Sequence, residues 1–193
     1  MEAIVIIVSY LVGSVPSGVI IGGIAGVDVR KTGSGNIGAT NVARVLGKGI
    51  GAVTLLADAA KGFLPVLVAL RLGFDYVGAA GVAIAAFLGH LYPIYLRFRG
   101  GKGVATALGA LLVLAPLATL ILVVVFGCVV LISRIVSLGS ITAAFAAPVI
   151  LWLLSYPPPL VGMGTFFGAM VILRHHANIQ RLFAGVEPRF GER

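Results

Sequence analysis

Residues 104–132 read VATALGALLVLAPLATLILVVVFGCVVLI and contain no charged side chain. A membrane-spanning helix needs about 20 apolar residues, so this stretch is too long for one upright helix. Pro116 lies inside it, and a proline in a helix interior removes a backbone hydrogen bond and clashes with the preceding turn. We therefore predict a helix boundary at Ala115–Pro116, with a short span before it and a full span after it. One tilted helix is the alternative.

Apolar segments of this kind recur along the whole chain, which has 193 residues, is 60% hydrophobic and is only 10% charged. Soluble domains are about 25% charged, so lipid must be the solvent for most of the chain. We predict an all-α, polytopic transmembrane helical bundle of about seven spans that forms a single domain over residues 1–193. The predicted apolar segments are 3–25, 50–71, 76–96, 103–114, 116–133, 139–155 and 159–174.

The positions of the basic residues support seven spans with the N-terminus outside and the C-terminus in the cytoplasm. Basic residues concentrate on the cytoplasmic side of membrane proteins, and the outer loops of this arrangement hold only Arg71. A single span over 104–132 would move a basic loop and the basic tail outside. The net charge of +8 then indicates anionic lipid headgroups rather than nucleic acid. The predicted cytoplasmic segments are 26–49, 97–102, 134–138 and the tail from 175, and they hold Arg30, Lys31, Arg44, Lys48, Arg97, Arg99, Lys102, Arg134, Arg181, Arg189 and Arg193.

The longest cytoplasmic loop carries the first candidate site; residues 30–44 read RKTGSGNIGATNVAR. Glycine allows backbone N–H groups to turn inward and approach an anion closely. Asparagine, serine and threonine add neutral donors, and Arg44 adds a rigid guanidinium suited to phosphate. The pattern predicts a phosphate site, and a flexible polar loop is the alternative.

A second glycine-rich segment joins the predicted third and fourth spans, where residues 99–106 read RGGKGVAT. Lys102 and the positive end of the following helix would point at the same anion. The spacing is not that of a Walker loop, because Leu96 stands where that motif needs glycine. A tight turn with a topology-setting lysine is the alternative.

The third segment closes the last span, where residues 174–182 read RHHANIQRL. His175, Asn178 and Arg181 follow one another at three-residue steps, which places all three on one face of a helix. An interfacial helix end whose basic residues complement the helix dipole is the alternative.

Four smaller features lie within or beside the spans. Asp58 and Lys61 stand one turn apart near the inner end of the second span and predict a structural ion pair, because an unpaired buried charge is costly. Ser14 and Ser17, together with Gly13, Pro16 and Gly18, predict a close-packed or bent first span. We interpret His90 as an interfacial histidine with satisfied hydrogen bonds. Ser140 is interpreted as a helix N-cap.

Only six acidic residues occur, and none are clustered, so no metal site and no cofactor are predicted.

Together, GSGNIGATNV (33–42) with Arg44, GGKGVAT (100–106) and HHANIQRL (175–182) resemble the bacterial acyl-phosphate:glycerol-3-phosphate acyltransferase family. The resemblance covers essentially the whole chain in length, span number and motif order. It implies a multi-pass enzyme of the bacterial inner membrane with its active site on the cytoplasmic side. The implied substrates are glycerol 3-phosphate and acyl phosphate, and the implied products are lysophosphatidic acid and phosphate. It leaves the oligomeric state open, and a monomer is compatible with it.

The resemblance also implies the roles of individual residues. Glycerol 3-phosphate would be held by Ser34, Arg44, Lys102, His175 and Asn178, of which all but Arg44 form the implied catalytic set. The acyl phosphate would be held by loop backbone N–H groups and by the side chains of Asn36, Thr40, Asn41 and Ser140; Gly38, Gly100, Gly101 and Gly103 complete the substrate-binding set. Two general bases stay open, His175 and, preferred here, the phosphate of the acyl phosphate itself. A transporter of phosphorylated solutes or lipids and a non-catalytic scaffold are the alternative functions.

Overall fold

The structure is a computed structural model described for residues 1–191, and within that part all regular secondary structure is helical. The chain divides into two compact units, unit 1 (Met1–Leu114) and unit 2 (Ala115–Arg193). Unit 1 contains α1 (Glu2–Ser14), α2 (Ser17–Ile24), α3 (Ala39–Leu46), α4 (Lys48–Arg71), α5 (Tyr76–Leu91), a 3-10 turn (Ile94–Leu96) and α6 (Val104–Leu114). Unit 2 contains α7 (Pro116–Ser133), α8 (Val136–Leu153), α9 (Pro158–Arg174) and α10 (His176–Phe183).

The helix boundary predicted at Ala115–Pro116 is confirmed. Helix α6 ends at Leu114, and α7 begins with Pro116 as its first residue. Proline is well tolerated at that position, because the N–H it lacks would have no partner within the helix. The alternative of one tilted helix over 104–132 is therefore wrong.

Five helical segments are long and apolar enough to cross a membrane, and two further apolar helices are shorter. The first of the five contains a break at Val15–Pro16, so the bend expected from Pro16 is present. The all-helical fold with membrane-type segments is confirmed; a count of seven requires that both short helices also cross, and it stays a prediction. The five segments are Glu2–Ile24, Lys48–Arg71, Tyr76–Leu96, Pro116–Ser133 and Val136–Leu153, and the shorter helices are Val104–Leu114 and Pro158–Arg174.

Close backbone approach at glycines holds the helices of unit 1 together. Helix α1 packs on α5, and α4 packs on α6. A Cβ atom built on Gly13 would lie 2.0 Å from the carbonyl oxygen of Ala86, and one built on Gly62 would lie 2.0 Å from that of Thr106. Lipid tails are as apolar as leucine, so van der Waals contact between small residues is the main attraction that remains between such helices.

Two polar segments differ from their predicted form. Residues 26–49, expected as a loop, contain α3, which forms because one of its faces buries Asn41 and Val42. The third motif is not one continuous helix: α9 ends at Arg174, and His175 forms the junction before α10. His175 occupies the N-cap position of α10, its backbone oxygen accepts the N–H of Ile179 at 2.9 Å, and His175 and Asn178 are both buried.

Candidate active site

The glycine-rich loop of the first motif is held in shape by the buried side chain of Asn41, which is 2% exposed. Its Oδ1 accepts a hydrogen bond from the backbone N–H of Ser34 at 2.8 Å. Its Nδ2 donates to three backbone carbonyl oxygens at 2.9–3.1 Å, those of Val29, Thr32 and Asn36. The amide of Asn41 is thus used within the loop, so its contribution to a substrate site is to order the backbone around it.

Other N–H groups of this loop are also used internally. Ser34 lies between Gly33 and Gly35, whose φ angles are +60° and +70°, and the N–H of Gly35 donates to Thr32 O at 3.1 Å. The N–H of Gly38 donates to Asn36 Oδ1 at 2.8 Å. The loop is therefore a folded structure rather than a flexible linker. Its exposed side chains include those of Ser34, Thr40 and Arg44, and also those of Arg30 and Lys31.

Helix α3 begins directly after this loop and leaves backbone donors at its start. The N–H groups of Asn41 and Val42 donate to Gly38 O at 3.1 and 3.2 Å, and no side chain caps the helix. The N–H groups of Ala39 and Thr40 precede the first intrahelical bonds and have no partner among residues 1–191. Helix starts bind anions because their N–H groups and the helix dipole both favour negative charge.

The second motif is docked on α5 by its glycines. The N–H of Gly101 donates to His90 O, and that of Gly100 donates to Leu91 O, both at 3.1 Å. A Cβ atom on Gly101 would lie 2.2 Å from His90 Nε2, and one on Gly100 would lie 2.1 Å from His90 O. Gly100 and Gly101 therefore serve the predicted site by letting the turn lie against α5, since their own N–H groups are taken.

Beyond the docked turn, Gly103 opens α6. Its φ of +82° belongs to the left-handed region, and a Cβ atom there would lie 2.3 Å from Phe87 Cε2. The first intrahelical hydrogen bond runs from Ala107 N–H to Gly103 O at 2.8 Å, so the N–H groups of Val104 and Ala105 have no acceptor within the helix. Lys102, half-buried, stands immediately before this positive helix end, as the sequence predicted.

An open cavity of about 440 Å³ in unit 1 is lined by Arg30, Tyr95, Leu96, Arg97 and Arg99. Arg30 is already paired, because its Nε lies 2.9 Å from Asp28 Oδ1. The side-chain hydrogen bond from Arg30 lowers the pKa of Asp28 to about 2. None of the predicted phosphate contacts lines this cavity.

In unit 2, His175 and Ser140 are both buried. His175 Nδ1 lies 2.7 Å from Val171 O; a carbonyl oxygen can only accept, so Nδ1 carries the proton and Nε2 is the acceptor atom of the neutral ring. Ser140 Oγ donates to Val136 O at 3.0 Å. The expectation that Ser140 caps a helix is wrong, because α8 begins one turn earlier at Val136.

Sequence reasoning missed Glu187, which lies beyond α10. Its Oε1 accepts hydrogen bonds from Ser137 Oγ at 2.6 Å and from Asn178 Nδ2 at 2.5 Å. Its Oε2 lies 2.6 Å from Arg181 Nε. Asn178, a predicted substrate contact, is therefore oriented by a carboxylate. The signal in the sequence was an acidic residue, rare in this chain, a few positions after the Asn178 and Arg181 pair.

The environment of Glu187 favours its charged form. Burial by itself would raise the pKa of this carboxyl group. The hydrogen bonds from Ser137, Asn178 and Arg181, together with the guanidinium charge, outweigh burial and hold the pKa below its ordinary value of 4.5. Through its contacts with Asn178 and Arg181, Glu187 organises α10.

Comparison with known proteins gives one consistent result. Residues 3–185 match the family model described as glycerol-3-phosphate acyltransferase. The glycerol-3-phosphate acyltransferase of Syntrophotalea carbinolica is 53% identical over 191 residues, covering 97% of this chain and 96% of that protein. The protein of the same name from Geobacter sulfurreducens is 51% identical over 189 residues, covering 98% of this chain and 97% of its own length.

Two crystal structures of PlsY (YgiH), an integral membrane glycerol 3-phosphate acyltransferase, share the fold. The glycerol 3-phosphate form has a TM-score of 0.95 and the lysophosphatidic acid form a TM-score of 0.93, each at 42% identity. Each alignment covers 98% of this chain, together with 96% of the first structure and 95% of the second. Because sequence and fold agree over nearly the whole length, this chain belongs to the glycerol-3-phosphate acyltransferase family of integral membrane proteins.

Proposed function

We propose that this chain transfers an acyl group from acyl phosphate to the 1-hydroxyl of glycerol 3-phosphate, releasing lysophosphatidic acid and inorganic phosphate. The names of its relatives give the acceptor, glycerol 3-phosphate. They do not give the acyl donor, and the acyl phosphate is what this proposal adds. An acyl phosphate is already activated, so the transfer needs neither a metal nor a covalent enzyme intermediate. The reaction would be the first acylation of phospholipid synthesis.

The observation that carries this proposal is the pair of open helix starts in unit 1. Helix α3 follows a glycine-rich segment that is folded by its own hydrogen bonds, and helix α6 follows one that is held against α5 by hydrogen bonds. Each has first-turn N–H groups without an acceptor in the helix; Lys102 stands directly before α6, and Arg44 lies in the last turn of α3. Two phosphate-bearing substrates that repel one another require two such anion sites.

In unit 1 we assign glycerol 3-phosphate to Lys102, Ser34 and Arg44; the same role for His175 and Asn178 is what the resemblance implies and stays a prediction. The acyl phosphate is assigned to the start of α3, with Asn36 and Thr40 beside it; the role that the resemblance implies for Ser140 stays a prediction. Asn41, Gly38, Gly100, Gly101 and Gly103 support these contacts by shaping the backbone.

The chemistry balances without an added base. The acceptor hydroxyl attacks the acyl carbon, a new C–O ester bond forms, and the bond between the acyl carbon and the phosphate oxygen breaks. The hydroxyl proton passes to the departing phosphate, which leaves protonated. Donors near the acyl carbonyl stabilise the oxyanion that develops on it, and the backbone N–H groups of the glycine-rich loop or Lys102 are our candidates for that role. Nε2 of His175, the acceptor atom of its ring, orients the hydroxyl.

For the membrane arrangement, we propose seven spans, with the N-terminus outside, the C-terminus in the cytoplasm and all three motifs on the cytoplasmic side of the bacterial inner membrane. The number requires α6 and α9 to cross the bilayer in addition to the five longer segments. The support for the orientation is the basic character of the predicted cytoplasmic segments.

The test is an assay of the purified protein in lipid nanodiscs with labelled glycerol 3-phosphate and, in parallel, acyl phosphate or acyl-CoA. We expect labelled lysophosphatidate and an equal amount of phosphate with acyl phosphate, no product with acyl-CoA, and an unchanged rate in EDTA. Lys102→Ala should abolish the product, and Lys48→Ala serves as the matched control. Product with acyl-CoA alone would show that the donor is wrong although the acceptor is right.

A further inference from the structure

A buried ionic cluster lies in the interior of unit 1, apart from the residues assigned to substrate. Lys61 Nζ lies 2.8 Å from Asp58 Oδ1, with the two side chains 8% and 3% exposed, so the ion pair predicted from the sequence is confirmed. Oδ1 nevertheless accepts no hydrogen bond from residues 1–191, so charge attraction is what holds the two groups together. Lys61 also contacts two residues outside this ion pair, and these contacts connect the cluster to both glycine-rich segments.

The first of these contacts reaches the break in the first span. Lys61 Nζ donates to Val15 O at 2.7 Å, the carbonyl next to Pro16 where α1 gives way to α2. Three residues later, Gly18 touches the first motif: a Cβ atom there would lie 1.9 Å from Ile37 O. Lys61 thus fixes the helix break that carries the contact surface for the glycine-rich loop.

The second contact reaches the other motif. Lys61 Nζ lies 3.3 Å from His90 Nδ1, and an ammonium group can only donate, so Nδ1 accepts and the ring proton belongs on Nε2. The Nε2 side of the ring is packed against Gly101, and the backbone oxygen of His90 accepts the N–H of Gly101. In addition, Thr106 Oγ1 in α6 donates to Asp58 O at 3.0 Å. The cluster therefore touches the turn before α6 and the first turn of α6 itself.

We propose that Asp58, Lys61 and His90 are positioning residues that set the spacing between the two glycine-rich segments of unit 1, and so between the starts of α3 and α6. The inference rests on the function proposed above, because the spacing matters only if both segments hold substrate phosphates. The ammonium of Lys61 is the common point: it holds the helix break that supports one segment and the histidine that supports the other.

Two physical arguments favour positioning over simple charge compensation. A buried ion pair is weak evidence for stability, since well-packed apolar residues in its place are often as stable or more so. Charged side chains inside a membrane are expensive and tend to serve function. An apolar residue at position 61 could not make the directional contacts with Val15 and His90. Without them the substrate-holding groups would shift, and a shift of about 1 Å can cost about a hundredfold in rate.

The test compares variants that keep or remove those directional contacts. Asp58→Asn/Lys61→Met removes both charges; Asp58→Lys/Lys61→Asp retains an ion pair but leaves no donor at position 61; Lys61→Arg retains charge and donors. Thr54→Val, a buried change in α4 outside the cluster, is the control. Each is assayed in nanodiscs for melting temperature, glycerol 3-phosphate binding, kcat and KM.

We expect the charge-free and swapped pairs to melt near the wild-type temperature, yet to lose about tenfold to a hundredfold in kcat/KM, mostly through KM for glycerol 3-phosphate. Lys61→Arg should recover most of the loss, and Thr54→Val should show none. Wild-type kinetics in the swapped or charge-free pair would overturn the proposal.

Two further measurements keep the test decisive. If both pair variants fail to fold, His90→Leu keeps the ion pair and removes the contact to the turn, and it should show the same rise in KM; unchanged KM would overturn the proposal. If the wild-type protein binds glycerol 3-phosphate but does not use acyl phosphate, the proposed donor fails. The positioning role is then decided by glycerol 3-phosphate binding, which should weaken in the same variants.

Discussion

Asn41 accepts the backbone N–H of Ser34 across the glycine-rich loop, at 2.8 Å. This bond makes the buried asparagine a brace for the segment that carries the exposed serine. The same amide group donates to carbonyl oxygens on both sides of Ser34. The motif alone predicts that Asn41 binds substrate directly. The structure shows that Asn41 instead holds the backbone of the loop in shape.

The first prediction is that Asn41→Asp disorders this loop and abolishes acyl transfer. Aspartate retains an acceptor for Ser34 N–H but loses every donor to the three carbonyls, and each unsatisfied buried group costs about 1–3 kcal/mol. Hydrogen exchange of residues 29–38 should become faster, together with loss of turnover. Thr40→Val, on an exposed neighbour, should leave the exchange unchanged. Normal exchange with a raised KM for acyl phosphate would instead assign Asn41 to direct binding.

The second prediction concerns close packing of the Gly100–Gly103 turn. Gly101→Ala should raise KM for glycerol 3-phosphate about tenfold or more, since the new Cβ would lie 2.2 Å from His90 Nε2 and the turn bearing Lys102 must shift. Steady-state kinetics measure this directly. Gly23→Ala is the control, because no atom lies within 4 Å of its Cβ position. Equal kinetics in the two variants would contradict a tightly docked turn.

Sequence predicted the features whose causes are local. Pro116 breaks the long apolar stretch, Pro16 breaks the first span, and Asp58 pairs with Lys61, in each case because the responsible groups lie within one or two helical turns. These effects can be read from spacing and from the known properties of proline and of buried charge.

Features that depend on distant partners were not predicted. His90 was interpreted as satisfied, but its partner Lys61 comes from another helix. Glu187 lies outside every apolar segment, and nothing in its neighbours shows that it meets Ser137, fifty positions earlier. The conversion of residues 39–46 from loop to helix likewise depends on burial of Asn41, which the polarity of the segment conceals.

The third prediction concerns pH and the tail of unit 2. The pKa of Glu187 lies below its ordinary 4.5 in the folded protein, so the stabilisation from its carboxylate is complete above about 4.5 and is lost as pH falls through the lower, folded pKa. The protection of α10 amides, measured as the exchange rate relative to the intrinsic rate at each pH, should therefore fall below pH 4.5. Glu187→Gln removes the titrating group, and its α10 exchange should be fast at pH 7 and lack this transition. A transition that persists in Glu187→Gln would assign it to another carboxylate.

The fourth prediction separates the two candidate bases. Nδ1 of His175 carries a proton that it donates to Val171 O, so Nε2 is the only ring atom able to accept the hydroxyl proton, and glutamine at this position offers an amide oxygen as acceptor without basicity. If the leaving phosphate takes the proton, His175→Gln should retain about a tenth or more of kcat, because a positioned general base is worth about a hundredfold to ten-thousandfold. Single-turnover assays with saturating glycerol 3-phosphate measure the step without interference from product release. His175→Ala, which cannot orient the hydroxyl, should be much slower than His175→Gln. Loss of more than about a hundredfold in both variants, with glycerol 3-phosphate binding intact, would make His175 the base and exclude substrate assistance.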